Sequence, residues 1–433
     1  MFVSKALEVN SKGNLCIGDC DTVELAKEYG TPLYVMDESL IRENCLEYKT
    51  AFESCYDSKG MVLYAGKAFL TRALCKIVDS EGLGIDVVSG GELYTAIKAD
   101  FPAEKIYFHG NFKSEEEIKM GIEYGIRSFV VDNEYELYQI NDIAGGMDRV
   151  VEISLRLKPG IDAHTHDFIR TGQIDSKFGI TIETGEAFDT IQKAIKLPNV
   201  KLRGIHCHIG SQIFDYEPFE AASVVMLKLI KRIKDELGYI IEELNLGGGY
   251  GVKYVKDHDP VPFDSYIKAI SRRVKEFCSE SNLDIPFIVM EPGRSIVASA
   301  GITLYTVGGI KDIKNVRKYI LTNGSMADNP RYALYKAEYD CLVATNPLAE
   351  RTQNVTIAGR TCESGDIIIK DYMMPEIKSG DTLAVVATGA YNYSMSSNYN
   401  RLPRPAVVMV KNGESRVIVK AETYEDIIRN DIE

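Results

Sequence analysis

Nowhere in the 433 residues do about 18 apolar side chains run uninterrupted, so a membrane-spanning helix is not expected. Met1 opens a polar stretch with no basic segment leading into an apolar core, which predicts a cytosolic protein, cytoplasmic and without a membrane partner. Positive charge is also short: 50 Lys and Arg face 63 Asp and Glu, a net charge of −13. That balance opposes binding to a phosphate backbone, and no nucleic-acid partner is expected. The nine cysteines are odd in number and lack CxxC spacing, so they read as free thiols rather than a disulfide framework. No sequence repeat and no low-complexity segment occurs. What is present is ordinary for a globular protein, 45% hydrophobic and 26% charged. The length favours two domains, because single cores stop growing at about 250–300 residues.

From Val62 onward, short β-rich runs alternate with helical patterns, the signature of repeated βαβ units. Eight strands are predicted: Val62–Ala65, Ile85–Val88, Lys105–Phe108, Ser128–Val131, Glu152–Leu157, Arg203–His208, Glu243–Leu246 and Phe287–Met290. Ser114 with Glu117, and Ser89 with Glu92, fit capping boxes, and Gly125 and Gly238 sit where glycine ends a helix. Met226, Leu229, Ile230, Ile233 and Leu237 give one helix an apolar, core-facing stripe. Eight such units fit an α/β fold of the (β/α)8 TIM-type barrel, whose chemistry lies at the C-terminal ends of its strands. After about residue 296 short strands follow without long helices, including Ile302–Val307, Val355–Ala358, Leu383–Ala387, Ala406–Val410 and Arg416–Val419, a C-terminal all-β domain. The expected division is therefore 1–35, short strands packing with the β-domain; 36–295, the barrel; and 296–433, the β-domain. Lys158 to Gly179, with His164, His166 and Gly172, shows no regular period and is read as a lid.

The chemistry-bearing residues fall at the active end of that barrel. Glu291-Pro292-Gly293-Arg294 follows the eighth strand and sets a carboxylate, flexible backbone and a guanidinium together. Lys67 follows the first strand between small residues, Asp86 lies in the second, His208 ends the sixth, and Gly247-Gly248-Gly249 follow the seventh. An amine for a cofactor aldehyde, glycines for its phosphate and a carboxylate for its pyridine nitrogen suggest a pyridoxal phosphate site. His206-Cys207-His208 has the look of a metal clip, but no second Cys or His cluster offers the remaining ligands, and no metal is expected. His208 is better read as a ring stacked on an aromatic cofactor, with Ser211 near phosphate. Cys362-Glu363-Ser364-Gly365-Asp366 reads equally as a β-turn or a catalytic loop. Arg331, Tyr335 and Tyr391 are ambiguous taken singly.

These motifs together resemble the diaminopimelate decarboxylases, a family among the alanine-racemase-like fold-type III pyridoxal phosphate enzymes that completes lysine biosynthesis. The resemblance runs through nearly the whole chain: Asp86-Val87-Val88-Ser89-Gly90-Gly91-Glu92-Leu93, His109-Gly110-Asn111, Lys177-Phe178-Gly179, His208 to Gln212, the triple glycine, Glu291 to Arg294, Asp328-Asn329-Pro330-Arg331, Cys362 to Asp366, Gly389-Ala390-Tyr391 and Arg404-Pro405-Ala406. It implies decarboxylation of meso-2,6-diaminopimelate to L-lysine and CO2 with pyridoxal 5'-phosphate. By the same resemblance Lys67 holds the cofactor as a Schiff base, His208 stacks on its ring, and Gly248, Gly249 and the backbone around Pro292, Gly293 and Arg294 hold phosphate, with Asp86 and Ser211 in the cofactor site. Glu291 faces the pyridine nitrogen. Arg294, Arg331 and Tyr335 bind the distal carboxylate of the amino-acid substrate, Glu363 its distal ammonium, and Tyr391 the cofactor-bound substrate. Cys362 is the acid that protonates the carbanion, and with Glu363 it reaches into the neighbouring subunit, so a homodimer with shared active sites is implied. The chain departs from the family's usual pattern at Tyr64-Ala65-Gly66-Lys67-Ala68-Phe69, at Asn323-Gly324-Ser325 in place of Asp-Gly-Gly, and at Tyr332 where Pro is common. Rival readings are a related decarboxylase for ornithine, arginine or carboxynorspermidine, a non-catalytic regulatory homologue, and a cofactor carrier on the same barrel.

Overall fold

The structure, a computed structural model, describes residues 2–57, 59–161 and 176–433. Most of the expected lid, including His164, His166 and Gly172, lies outside the described residues. The chain forms two compact units. One comprises Asn44–Gly251 and Pro260–Gly293; the other comprises Met1–Glu43, Val252–Asp259 and Arg294–Glu433. From the 252–259 stretch, buried Tyr254 meets the guanidiniums of Arg294 and Arg331 within the second unit.

The first unit is a closed parallel barrel. Its strands are Gly60–Ala65, Gly84–Val87, Ile106–Phe108, Ser128–Val131, Val151–Lys158, Val200–Cys207, Glu243–Asn245 and Phe287–Met290. Each pairs in parallel with the next, and Ile288 to Met290 closes the circuit on Gly60 to Val62. All eight predicted runs are strands, displaced by no more than a few residues. The reason is burial on both faces, which makes each strand a near-continuous apolar run; Ile106, Tyr107 and Phe108 are all fully buried. Leu63, Tyr107, Val130 and Val289 form a buried cluster drawn from four strands.

Local signals set the helix ends. Ser114 and Glu117 form a reciprocal capping box, and the helix they start ends at left-handed Gly125. Ser89 caps its helix through the Glu92 N–H, but the Glu92 carboxylate reaches one residue further back, accepting from the Val88 N–H at 2.7 Å, so the expected box is only half present. The Met226 stripe is buried as far as Ile233. Among the described residues, no helix is long and apolar enough to cross a membrane.

The second unit is mostly antiparallel sheet. Gly301–Ile313 pairs with Arg317–Thr322, with Thr382–Val386 and with Leu33–Asp37 from the N-terminal segment. Leu33–Asp37 also runs parallel to Ala406–Val410, so the start of the chain is a central strand of this sheet. Ala406–Lys411 and Glu414–Val419 form a hairpin about Asn412-Gly413, both at positive φ as a two-residue turn requires.

Candidate active site

In the barrel unit, backbone hydrogen bonds draw the strand ends together. The Ala65 N–H donates to the Pro292 carbonyl at 3.0 Å, the His109 N–H to Val87 at 2.7 Å, and the Glu291 N–H to Gly247 at 2.8 Å. Lys67 sits in the short helical turn Gly66–Ala68 just past the first strand, exposed between two buried small residues. Its charge acts on Asp86, Glu92 and His208. Asp86 is buried with Oδ1 lacking a hydrogen-bond partner among the described residues. Burial, reinforced by the Glu291 charge and opposed by Lys67, pushes its carboxyl well above the usual range.

Gly247 to Gly249 form a turn that no side chain would fit. A Cβ on Gly248 would lie 2.0 Å from the Glu291 carbonyl oxygen, and one on Gly249 would lie 2.2 Å from that of Gly210. Gly247 and Gly249 also sit at positive φ, +66° and +116°. The Gly248 N–H donates to His208 Nδ1 at 3.3 Å. Burial and the nearby Lys67 charge hold His208 well below the ordinary imidazole range, so its ring is neutral.

Glu291 meets three side chains at this end. His109 Nε2 meets Oε1 at 2.7 Å, Asn245 Nδ2 donates to the same oxygen at 2.7 Å, and His206 Nε2 meets Oε2 at 3.1 Å. Burial works against its charge, but the imidazoles outweigh burial and hold the carboxyl well below its usual range. Burial likewise pushes His206 down to about 4. His109, His206 and Glu291 have the residue types of a metal site and ligand atoms within 4.8 Å of one another. In the structure both imidazole Nε2 atoms lie at hydrogen-bond distance from the carboxylate. The sequence singled out Glu291 but neither Asn245 nor the destination of His206, since nothing local marks either.

In the second unit, Arg294 and Arg331 are buried among phenols. Arg294 donates to Tyr254 Oη at 2.7 Å and lies 4.6 Å from the Tyr391 ring centroid. Arg331 donates to Tyr339 Oη at 2.6 Å and lies 4.6 Å from the Tyr254 ring. Burial raises the Tyr254 hydroxyl's pKa, but the two guanidiniums outweigh it and the net direction is down. Tyr391 is held at φ +63°, a strained conformation for a side chain of its size. Tyr254 and Tyr339 escaped the sequence reading, because a single tyrosine carries no signal of its partner. Tyr335 ends the short helix Arg331–Tyr335 half-buried, and among the described residues no hydrogen bond or ring contact joins it to this cluster.

Cys362 and Glu363 are exposed. The Cys362 N–H donates to Asn400 Oδ1 at 2.9 Å, and the Asp366 N–H to the Glu363 carbonyl at 3.0 Å, which makes the segment a turn. Buried Asp366 anchors it by accepting from the N–H groups of Met326 and Thr361 at 2.6 and 2.8 Å. Cys362 is the one exposed thiol among nine unpaired cysteines.

Residues 38–298 match the model of the pyridoxal-dependent decarboxylase family, pyridoxal binding domain. The diaminopimelate decarboxylase of Bacillus subtilis is 48% identical over 432 residues, covering 100% of this chain and 98% of that protein. The enzyme of the same name from Bacillus methanolicus is 50% identical over 420 residues, 97% of each chain. The crystal structure of diaminopimelate decarboxylase from M. jannaschii in co-complex with L-lysine superposes with a TM-score of 0.94 at 37% identity, covering 100% of this chain and 99% of that one. With likeness of this extent along its whole length, the chain belongs to the diaminopimelate decarboxylase family of pyridoxal-dependent decarboxylases.

Proposed function

We propose that this chain is a pyridoxal 5'-phosphate-dependent carboxy-lyase that converts meso-2,6-diaminopimelate to L-lysine and CO2. The observation that carries the substrate choice is the pair of buried guanidiniums, Arg294 and Arg331, both placed against Tyr254. Among the described residues Arg331 has phenols as neighbours and no carboxylate partner. A buried cation without a counter-charge is costly unless an anion joins it. A substrate with a distal carboxylate supplies that anion; ornithine and arginine do not.

The barrel residues fit the cofactor. The glycine turn leaves backbone where a Cβ would clash, the buried Asp86 Oδ1 lacks a partner, and Glu291 is held as a carboxylate. Lys67 would hold the aldehyde through its amine, Gly248, Gly249, Ser211 and the backbone at Pro292, Gly293 and Arg294 would hold phosphate, and Tyr391 would complete the set. When bound, pyridoxal phosphate supplies a protonated pyridine ring that withdraws the electron pair left as CO2 departs. Glu291 keeps the proton on the ring nitrogen by being the charged partner. The neutral imidazole of His208 offers a flat, uncharged face for the ring. Arg294, Arg331 and Tyr335 orient the distal carboxylate, Glu363 takes the distal ammonium, and Cys362 delivers a proton to the α-carbon. Exposure of both Cys362 and Glu363 supports their serving the partner's site in a homodimer.

The deciding experiment supplies the cofactor-loaded protein with meso-diaminopimelate, ornithine and arginine in parallel, measuring CO2 and the amine product. Lysine and CO2 in equal amounts from diaminopimelate alone are expected; comparable turnover of ornithine or arginine would sink the assignment. Arg331→Ala should lower kcat/KM for diaminopimelate by about 1.5–3 kcal/mol, or roughly 10- to 150-fold, the usual worth of hydrogen bonds to charged groups. Steady-state kinetics over the variant checks it, and an unchanged value would free Arg331 from the clamp.

A further inference from the structure

Glu291 has three hydrogen-bond partners, and they are distributed unevenly over its two oxygens. Oε1 takes two contacts, from His109 Nε2 and Asn245 Nδ2, each at 2.7 Å. Oε2 takes one, from His206 Nε2 at 3.1 Å, so among the described residues an acceptor position on Oε2 remains open. The two imidazoles stand edge to face, with centroids 4.8 Å apart, which fixes the direction of each ring. His206 Nδ1 is buried with no partner among the described residues. A proton there would be an unsatisfied buried donor, so the ring carries its hydrogen on Nε2 and must donate to Glu291. Asn245 is held in turn: its Oδ1 accepts from the Gly247 N–H at 2.9 Å, which directs the amide NH2 to the carboxylate and ties it to the glycine turn.

Resting on the function proposed above, we propose that His109, His206 and Asn245 are positioning residues that fix Glu291 as a carboxylate and leave one acceptor position of Oε2 for the cofactor's ring nitrogen. They touch neither substrate nor reacting atoms. They act by making the carboxylate a poor resting place for the proton it shares with the ring. Removing a donor strengthens Glu291 as a base, so the shared proton moves from ring nitrogen toward carboxylate. His206 and Asn245 lie in strands paired on both sides, and His109 directly follows another such strand.

The test uses holoenzyme carrying cofactor labelled with 15N in the ring, whose nitrogen chemical shift reads protonation directly. Wild type should show the protonated value and Glu291→Gln the unprotonated one. His109→Phe, His206→Phe and the nearly isosteric Asn245→Asp should move toward the unprotonated value, with kcat lowered roughly 10- to 100-fold and KM little changed. His109→Gln and His206→Gln, which restore an N–H donor, should return the shift toward wild type, a rescue that loss of packing alone would not show. In the Glu291→Gln background the same changes should cost no further activity. A ring nitrogen that stays protonated in all three donor-removing variants overturns the inference while leaving Glu291 opposite the ring. A wild-type ring that is itself unprotonated overturns the Glu291 assignment and this inference with it.

Discussion

If Lys67 holds the cofactor as proposed, Lys67→Ala should lose about 10³-fold or more of the turnover, because no other amine then takes over its role. Lys113, buried near the barrel's strand ends, is already spent. Its amine donates to the carbonyls of Gly110 and Val130 and to Glu136 Oε1, at 3.1, 2.9 and 2.9 Å, inside a fully buried ion pair. Freeing it would strand the Glu136 carboxylate in the core, which costs several kcal/mol. Lys67 by contrast is exposed at the end of its strand, beside Asp86 and the neutral His208. Borohydride reduction of the loaded protein followed by peptide mapping checks the assignment. The adduct is expected on Lys67 alone; a labelled lysine elsewhere would refute it.

The barrel was legible because its strands are buried on both faces, so each appears in the sequence as a short apolar run whatever its partners. The β-unit was harder to read. Arg317–Thr322 and Ile367–Met374 mix charged with apolar residues, and Cys341–Val343 is only three residues long, so all three strands escaped the periodicity. The site residues divide in the same way. Lys67, the triple glycine and Glu291 stand out as candidates in the sequence because their signals are local: small flanking residues, a tight turn, a carboxylate at a strand end. The support around Glu291 is not local at all. His109 lies 182 residues away in sequence, His206 lies 85 and Asn245 lies 46, and only closure of the barrel brings them to one carboxylate. The local signal His206 carries, its spacing from His208, points to a metal clip and says nothing of Glu291.

Cys362→Ala should abolish lysine formation almost as completely as Lys67→Ala, by about 10²- to 10⁴-fold, the range for loss of a proton-transfer group, and yet the two variants should repair one another when mixed. The thiol lies exposed in a turn held by Asn400 and Asp366, so nothing around it depends on the sulfur and the variant should fold normally. If Cys362 serves the partner subunit, neither homodimer of the single variants holds a complete site. A mixed dimer holds one, formed from the intact Lys67 of one chain and the intact Cys362 of the other. With random exchange between equal amounts, half of the dimers are mixed and each carries one working site of two, so roughly a quarter of wild-type activity should return. Cys362→Ala alone should still release CO2 slowly, because the proton is needed only after the carboxylate has gone. Following activity while exchange is monitored with differently tagged chains separates the possibilities. Complete exchange without recovery would place the thiol in its own subunit's site or outside the reaction.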